Sequence, residues 1–94
     1  MEDVNKNIKL INSCLPQYAL RRNSAYYEYV CYINNIYTFL ICGLYDEVDL
    51  FINRANKYLE KNQKMIDFEN QYIISSKEFL NRIRDYLDNN DLVK

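Results

Sequence analysis

SAYYEYVCYINNIYTFLICG, residues 24 to 43, is the most apolar run in the chain, and its reading decides the fold. Glu28, Asn35 and Thr38 fall at spacings of seven and three, a narrow polar stripe on a helix. Tyr29, Tyr32, Ile33, Ile36, Phe39 and Leu40 fill the wide opposite face. The spacing predicts a helix capped by Asn23 or Ser24 and running to Cys42, about 27 Å at ~1.5 Å per residue. Tyrosine, valine, isoleucine, threonine and phenylalanine are also strand formers, so a β-hairpin turning at Asn34-Asn35 is the rival reading. The helical spacing of the polar stripe, and the weaker turn chemistry of Asn-Asn beside Asn-Gly, favour the helix.

Working outward, Gly43 is the only glycine, placed where a left-handed residue ends a helix without steric cost. The chain should reverse there. Asp46 and Glu47 then fall in the first turn of a third helix, where carboxylates suit the dipole, and Val48, Ile52, Ala55 and Leu59 line one face to an end near Asn62. On the other side, Val4, Ile8, Ile11 and Leu15 recur at four, three and four, an amphipathic helix with Asp3 as its N-cap. Pro16 stops that helix, leaving 16 to 23 as a connector or short helical turn. From Gln63 onward Ile66, Tyr72, Ile73, Ser76, Phe79, Leu80, Ile83, Tyr86 and Leu87 keep a three-four rhythm, read as one long terminal helix with Lys77, Glu78, Arg82 and Asp85 outside. The tail from Asn89 to Lys94 is expected to fray. No linker divides the chain, so the expectation is one all-α domain over 1–94: a small four-helix bundle, or a stack of helical hairpins, with a long C-terminal helix.

Composition agrees with that class. A chain of 94 residues buries roughly 60 to 70% of its unfolded surface, enough for a modest core without disulfides or metal. With 12 basic and 13 acidic side chains spread through the sequence, no global field draws it to phosphate or anionic lipid. No apolar run approaches the ~20 residues needed to span a bilayer, and Met1 to Leu10 is polar rather than signal-like. The expected location is the cytoplasm of the producer or of its host. Cys14, Cys31 and Cys42 lie on apolar helical segments and read as small buried thiols in a reducing compartment. Without histidine, a structural zinc site would need four cysteines where three exist, so no metal and no cofactor is expected. The surplus of Ile, Asn, Lys and Tyr, ten tyrosines among them, is the bias of an AT-rich genome and suggests a low-GC bacterium or its phage.

Between Val30 and Asn62, Gly43 sits at a turn, Tyr45 follows two residues later, Glu47 is acidic, Ala55 is small, and Tyr32 and Phe39 are aromatic on the first helix of the pair. This segment resembles one tetratricopeptide repeat, a helix-turn-helix unit of about 34 residues. It departs from the pattern at Ile36 and Val48, where small residues are usual, and at Glu60, which holds the place of the closing proline. The resemblance covers about a third of the chain. It implies a ligand-facing side at Val30, Ile33, Tyr37, Leu40 and Ile41, apolar and suited to an amphipathic helix or another protein's apolar segment. The alternative is that these residues simply pack on the first and fourth helices.

Catalysis usually draws on a group that titrates near neutral pH, and histidine, its commonest supplier, does not occur. Asp46, Glu47 and Asp49 read as solvated capping carboxylates, and one glycine cannot build a phosphate loop. The chain is therefore expected to be no enzyme and to bind no small-molecule substrate. Arg21 and Arg22 beside Tyr26, Tyr27 and Tyr29 form the densest polar-aromatic stretch. With Tyr37 they are the candidate partner-binding residues, because arginine and tyrosine combine large area with hydrogen-bonding tips. The opposing reading is solvated arginines beside buried tyrosines. The expected function is a non-enzymatic protein-interaction module, a regulator, inhibitor or immunity-type protein, whose partner is another protein or a second copy in a homodimer. The alternative is a nucleic-acid-binding protein using Arg21, Arg22 and the lysines Lys57, Lys61 and Lys64, a reading weakened by the absence of net positive charge.

Overall fold

The structure, a computed structural model, describes residues 2–16, 19, 21 and 24–93. Four helices, α1 (Glu2–Ser13), α2 (Ala25–Ile41), α3 (Tyr45–Lys61) and α4 (Gln71–Asn89), follow one another, and no strand occurs among the described residues. The molecule measures 36 × 26 × 21 Å, so its cross-section is about two helix diameters each way, the dimensions of a two-by-two bundle.

Local chemistry fixes the ends of each helix. Ser24 is the N-cap of α2, its hydroxyl accepting from the Tyr26 amide at 3.1 Å; Asn23 lies outside the described residues. The helix then runs unbroken through Asn34-Asn35, the place where a hairpin would have turned. There the Asn34 side-chain amide donates to the Val30 carbonyl, and the Thr38 hydroxyl to that of Asn34, both at 3.0 Å. After α2, Gly43 takes φ +75°, its amide donates to Leu40 O at 3.2 Å and the Leu44 amide to Phe39 O at 2.9 Å. Those two bonds make a Schellman cap, which satisfies carbonyls the helix leaves open and turns the chain into α3.

Three expectations about helix ends are corrected. α1 already includes Glu2, so Asp3 lies inside the first turn and not at the cap. α4 begins at Gln71 and not at Gln63, because side chains in 62–70 offer the backbone better partners than a continuing helix does. Asp67 Oδ1 accepts from the Glu69 amide at 2.9 Å, and Asn70 Oδ1 accepts from the Tyr72 amide at 2.8 Å as the true N-cap. Ile66 is nonetheless buried, held in the core from the connection. The tail does not simply fray. Asp91 at φ 52° lets the Leu92 amide reach Leu87 O at 3.1 Å, a second Schellman cap that folds Leu92 and Val93 against the core.

Packing follows the apolar rhythm. Ile8 and Ile11 of α1, Val48, Ile52, Ala55 and Leu59 of α3, and the seven inward residues of α4 close over Tyr29, Val30, Ile33, Ile36 and Leu40 of α2. α2 and α3 form an antiparallel hairpin whose outer seam is aromatic. Tyr32 stands edge-on to Phe51 and Tyr58, at 6.1 and 6.0 Å between ring centres, and Phe39 to Phe51 at 5.0 Å. α1 runs antiparallel to α4, with Asn7 opposite Arg82 and Val4 beside Ile83 and Tyr86.

The cysteine expectation fails in part. Cys31 and Cys42 are exposed and Cys14 is half-buried. Cys31 and Cys42 extend the stripe of Glu28, Asn35 and Thr38 at spacings of three and four, so helical phase puts them on the outside.

Candidate interaction surface

The structure scatters the sequence's candidate residues. Arg21 is exposed, and Arg22 lies outside the described residues. Tyr27 and Tyr37 are half-buried, the Tyr37 hydroxyl donating to Asn5 Oδ1 and so tying α2 to α1. Tyr26 and Tyr29 are corrections: both are core residues and offer no surface to a partner. The phenol ring favours burial strongly once its hydroxyl finds a bond inside. The Tyr26 hydroxyl accepts from the Asp67 amide at 2.8 Å, which pins the 62–70 connection to the start of α2. The Tyr29 hydroxyl lies 2.7 Å from Ser76 Oγ on α4. Ser76 spends its one proton on the Ile73 carbonyl at 2.9 Å, so Tyr29 is the donor in the pair. Burial pushes the Tyr29 phenol up from 10.0 to about 12, with the Ser76 bond pulling weakly the other way.

The face implied by the tetratricopeptide resemblance is also occupied from within. Val30, Ile33 and Leu40 are buried in the bundle, leaving Ile41 exposed and Tyr37 at the margin. As for the proposed phosphate-contacting cations, Lys57 and Lys61 are exposed on α3, while Lys64 lies beyond its end in the connection. The Tyr58 hydroxyl donates to the Ala25 carbonyl, which brings the end of α3 beside the start of α2, the end that carries Arg21. Glu60, Asp67 and Glu69 are exposed in the same stretch, so cations and carboxylates alternate there.

An apolar concave surface lies elsewhere, between α1 and α4. It is a cleft of about 520 Å³ with Leu40, Phe79 and Ile83 on its floor, and Val4, Leu10 and Tyr86 among its walls. Beside that apolar floor Leu10 is 65% exposed and Tyr86 41%. Lys6 on α1 and Arg82 on α4 stand on opposite banks, and Asn7 and Arg82 meet across the cleft at 3.5 Å. A smaller cavity of about 190 Å³ continues it toward Ile11, Ser75 and Glu78.

Sequence reading passed this surface by, although one signal was present. Leu10 breaks the four-three-four stripe of Val4, Ile8, Ile11 and Leu15, and an apolar residue off the stripe of an amphipathic helix must face solvent or a partner. Tyr86, by contrast, keeps the rhythm of α4 and gives no such warning.

Fold and surface together define a small all-α helical bundle with an open apolar cleft along one helix pair. No protein-family model, no curated protein and no solved structure matches the chain. Among the described residues no helix is long and apolar enough to cross a membrane, and no cluster of acidic or sulfur side chains is grouped to hold a metal ion.

Proposed function

We propose that this protein is a non-enzymatic protein-interaction module, a small regulator or inhibitor of the cytoplasm that acts by docking another protein along the α1–α4 cleft. The observation that carries the reading is the exposed pair Leu10 and Tyr86 at the lips of that cleft, above an apolar floor. Covering apolar surface contributes about 25 cal/mol per Å², so a ridge placed on these residues gains by removing them from water. The tyrosine also supplies a hydrogen-bonding tip of the kind found at interface hot spots. The helical hairpin of α2 and α3, with its resemblance to a tetratricopeptide unit, supports the same class of function, but as the scaffold that holds α1 and α4 rather than as the docking face.

The test is retention of a protein from native lysate by the immobilised wild type and by Leu10→Asp. Leu10 is solvated, so circular dichroism and the melting temperature should be unchanged in the variant while the retained protein disappears. Once purified, that partner should slow amide exchange in α1 and α4. Equal retention by Leu10→Asp and by Tyr86→Ala removes the cleft from the function.

A further inference from the structure

Among the described residues, the larger part of the cleft carries charge of one sign. Among the described residues lining that part, Lys6 and Arg82 are the ionisable side chains other than Tyr86, and none is a carboxylate. Neither cation is in an ion pair, the one such pair among the described residues being Arg84 with Asp49. Arg82 reaches only Asn7, at 3.5 Å, the outer limit of a hydrogen bond and to a neutral acceptor. A guanidinium held so loosely keeps its fork of donors for a carboxylate, which binds it in shorter, charge-assisted and often bidentate bonds. The one carboxylate among the described lining residues is Glu78, a helical turn before Arg82, which lines the smaller cavity.

Length is the second constraint. On α4 the combined cleft runs from Ser75 to Tyr86, about 16 Å at ~1.5 Å per residue, or roughly three helical turns. An apolar trough of that length matches the i, i+4, i+7 anchors of an amphipathic helix. A second copy of this chain fits less well, because a two-fold pairing sets the same surface against itself and brings Lys6 and Arg82 toward their own counterparts.

Resting on the docking function proposed above, we infer that the α1–α4 cleft receives an amphipathic helix of another protein, about three turns long, whose apolar stripe is flanked by Asp or Glu. Leu10 and Tyr86 close over the stripe from the two banks, and Lys6 and Arg82 pair with the flanking carboxylates.

The test uses three synthetic helices of about 18 residues, long enough to hold helical structure. They share one leucine stripe at i, i+4 and i+7 and carry Glu, Gln or Lys beside it, and binding is followed by fluorescence anisotropy. The Glu helix should bind tightest and the Lys helix about ten-fold more weakly, with Gln between them and the spread narrowing as salt is added. In the double variant Lys6→Gln/Arg82→Gln, whose changed side chains are both exposed, the three affinities should converge, while in Leu10→Asp all three should be lost. Equal affinities in the wild type, or no binding by any helix, overturn the inference. If the lysate partner still depends on Leu10 in that case, the docking function stands and only its ligand chemistry is wrong; if that dependence fails as well, both fall. A dimer in sedimentation that dissolves in Leu10→Asp would make the occupant a second copy and overturn the inference in favour of self-association.

Discussion

Replacing Tyr72 by phenylalanine removes a single oxygen from the centre of the bundle. The Tyr72 ring is fully buried, edge-on to Tyr29 with centres 6.1 Å apart and planes at 90°, and its hydroxyl has no hydrogen-bond partner among the described residues. A buried polar group without a partner forfeits its hydration for nothing, a penalty of about 1–3 kcal/mol. Phenylalanine keeps the ring, its rotamer and its contact with Tyr29, so little packing is lost to offset the gain. Tyr72→Phe should therefore be more stable than the wild type by about 1–2 kcal/mol. In a domain of this size each kcal/mol moves the melting temperature by about 4–8 °C. The assay is urea unfolding followed by circular dichroism, in which the midpoint rises while the slope stays constant, so that the change is one of stability and not of the surface exposed. A variant less stable than the wild type by ~0.5 kcal/mol or more would show that the hydroxyl makes a bond in solution, and the reasoning would be refuted.

Removing Ser76 Oγ should cost more than removing the Tyr29 hydroxyl that donates to it. Ser76→Ala strands a buried phenol and should lose about 2 kcal/mol, Tyr29→Phe leaves Ser76 bonded to Ile73 and should lose about 1, and a double variant no worse than Ser76→Ala would confirm the pairing in denaturant melts. In alkali the buried tyrosines destabilise the fold. Burial raises Tyr29 to about 12 and Tyr72 upward as well, so the native state keeps protons that the unfolded chain releases near 10.0. Their contribution is complete below pH 10.0 and is lost as pH climbs through about 12, at up to ~2.7 kcal/mol per pH unit for the pair, and tyrosinate absorbance should show a late step coincident with unfolding. A single early step for all tyrosines would contradict this. Native-state labelling with a thiol reagent should reach Cys31 and Cys42 before Cys14, as peptide mapping of the labelled protein would show.

Much of the architecture was written in the spacing of residues. The polar stripe of Glu28, Asn35 and Thr38 favoured a helix over a hairpin, Gly43 marked the reversal, and Val48, Ile52, Ala55 and Leu59 named the buried face of α3, because each of these is a local consequence of 3.6 residues per turn or of one left-handed backbone position. The break at 62–70 was less legible. The three-four rhythm passes over it, and the side-chain bonds of Asp67 and Asn70 compete with a helix only once the Asp67 amide also has the Tyr26 hydroxyl to meet, a contact 41 residues away in sequence.

The candidate site was the least legible part, and the tyrosines show why. Composition made Tyr26 and Tyr29 look like binding residues, since a tyrosine has the same formula whether its hydroxyl meets water, a partner or Ser76. Sequence alone determined that this chain is helical, where it reverses, and which stripe of each helix is apolar, all properties of a single helix in water. Only the tertiary structure decided which tyrosines are interior and that Leu10 and Tyr86 line one trough. Those facts depend on how α1 and α4 lie against each other, and that arrangement is set by the summed packing of the four helices rather than by any one segment.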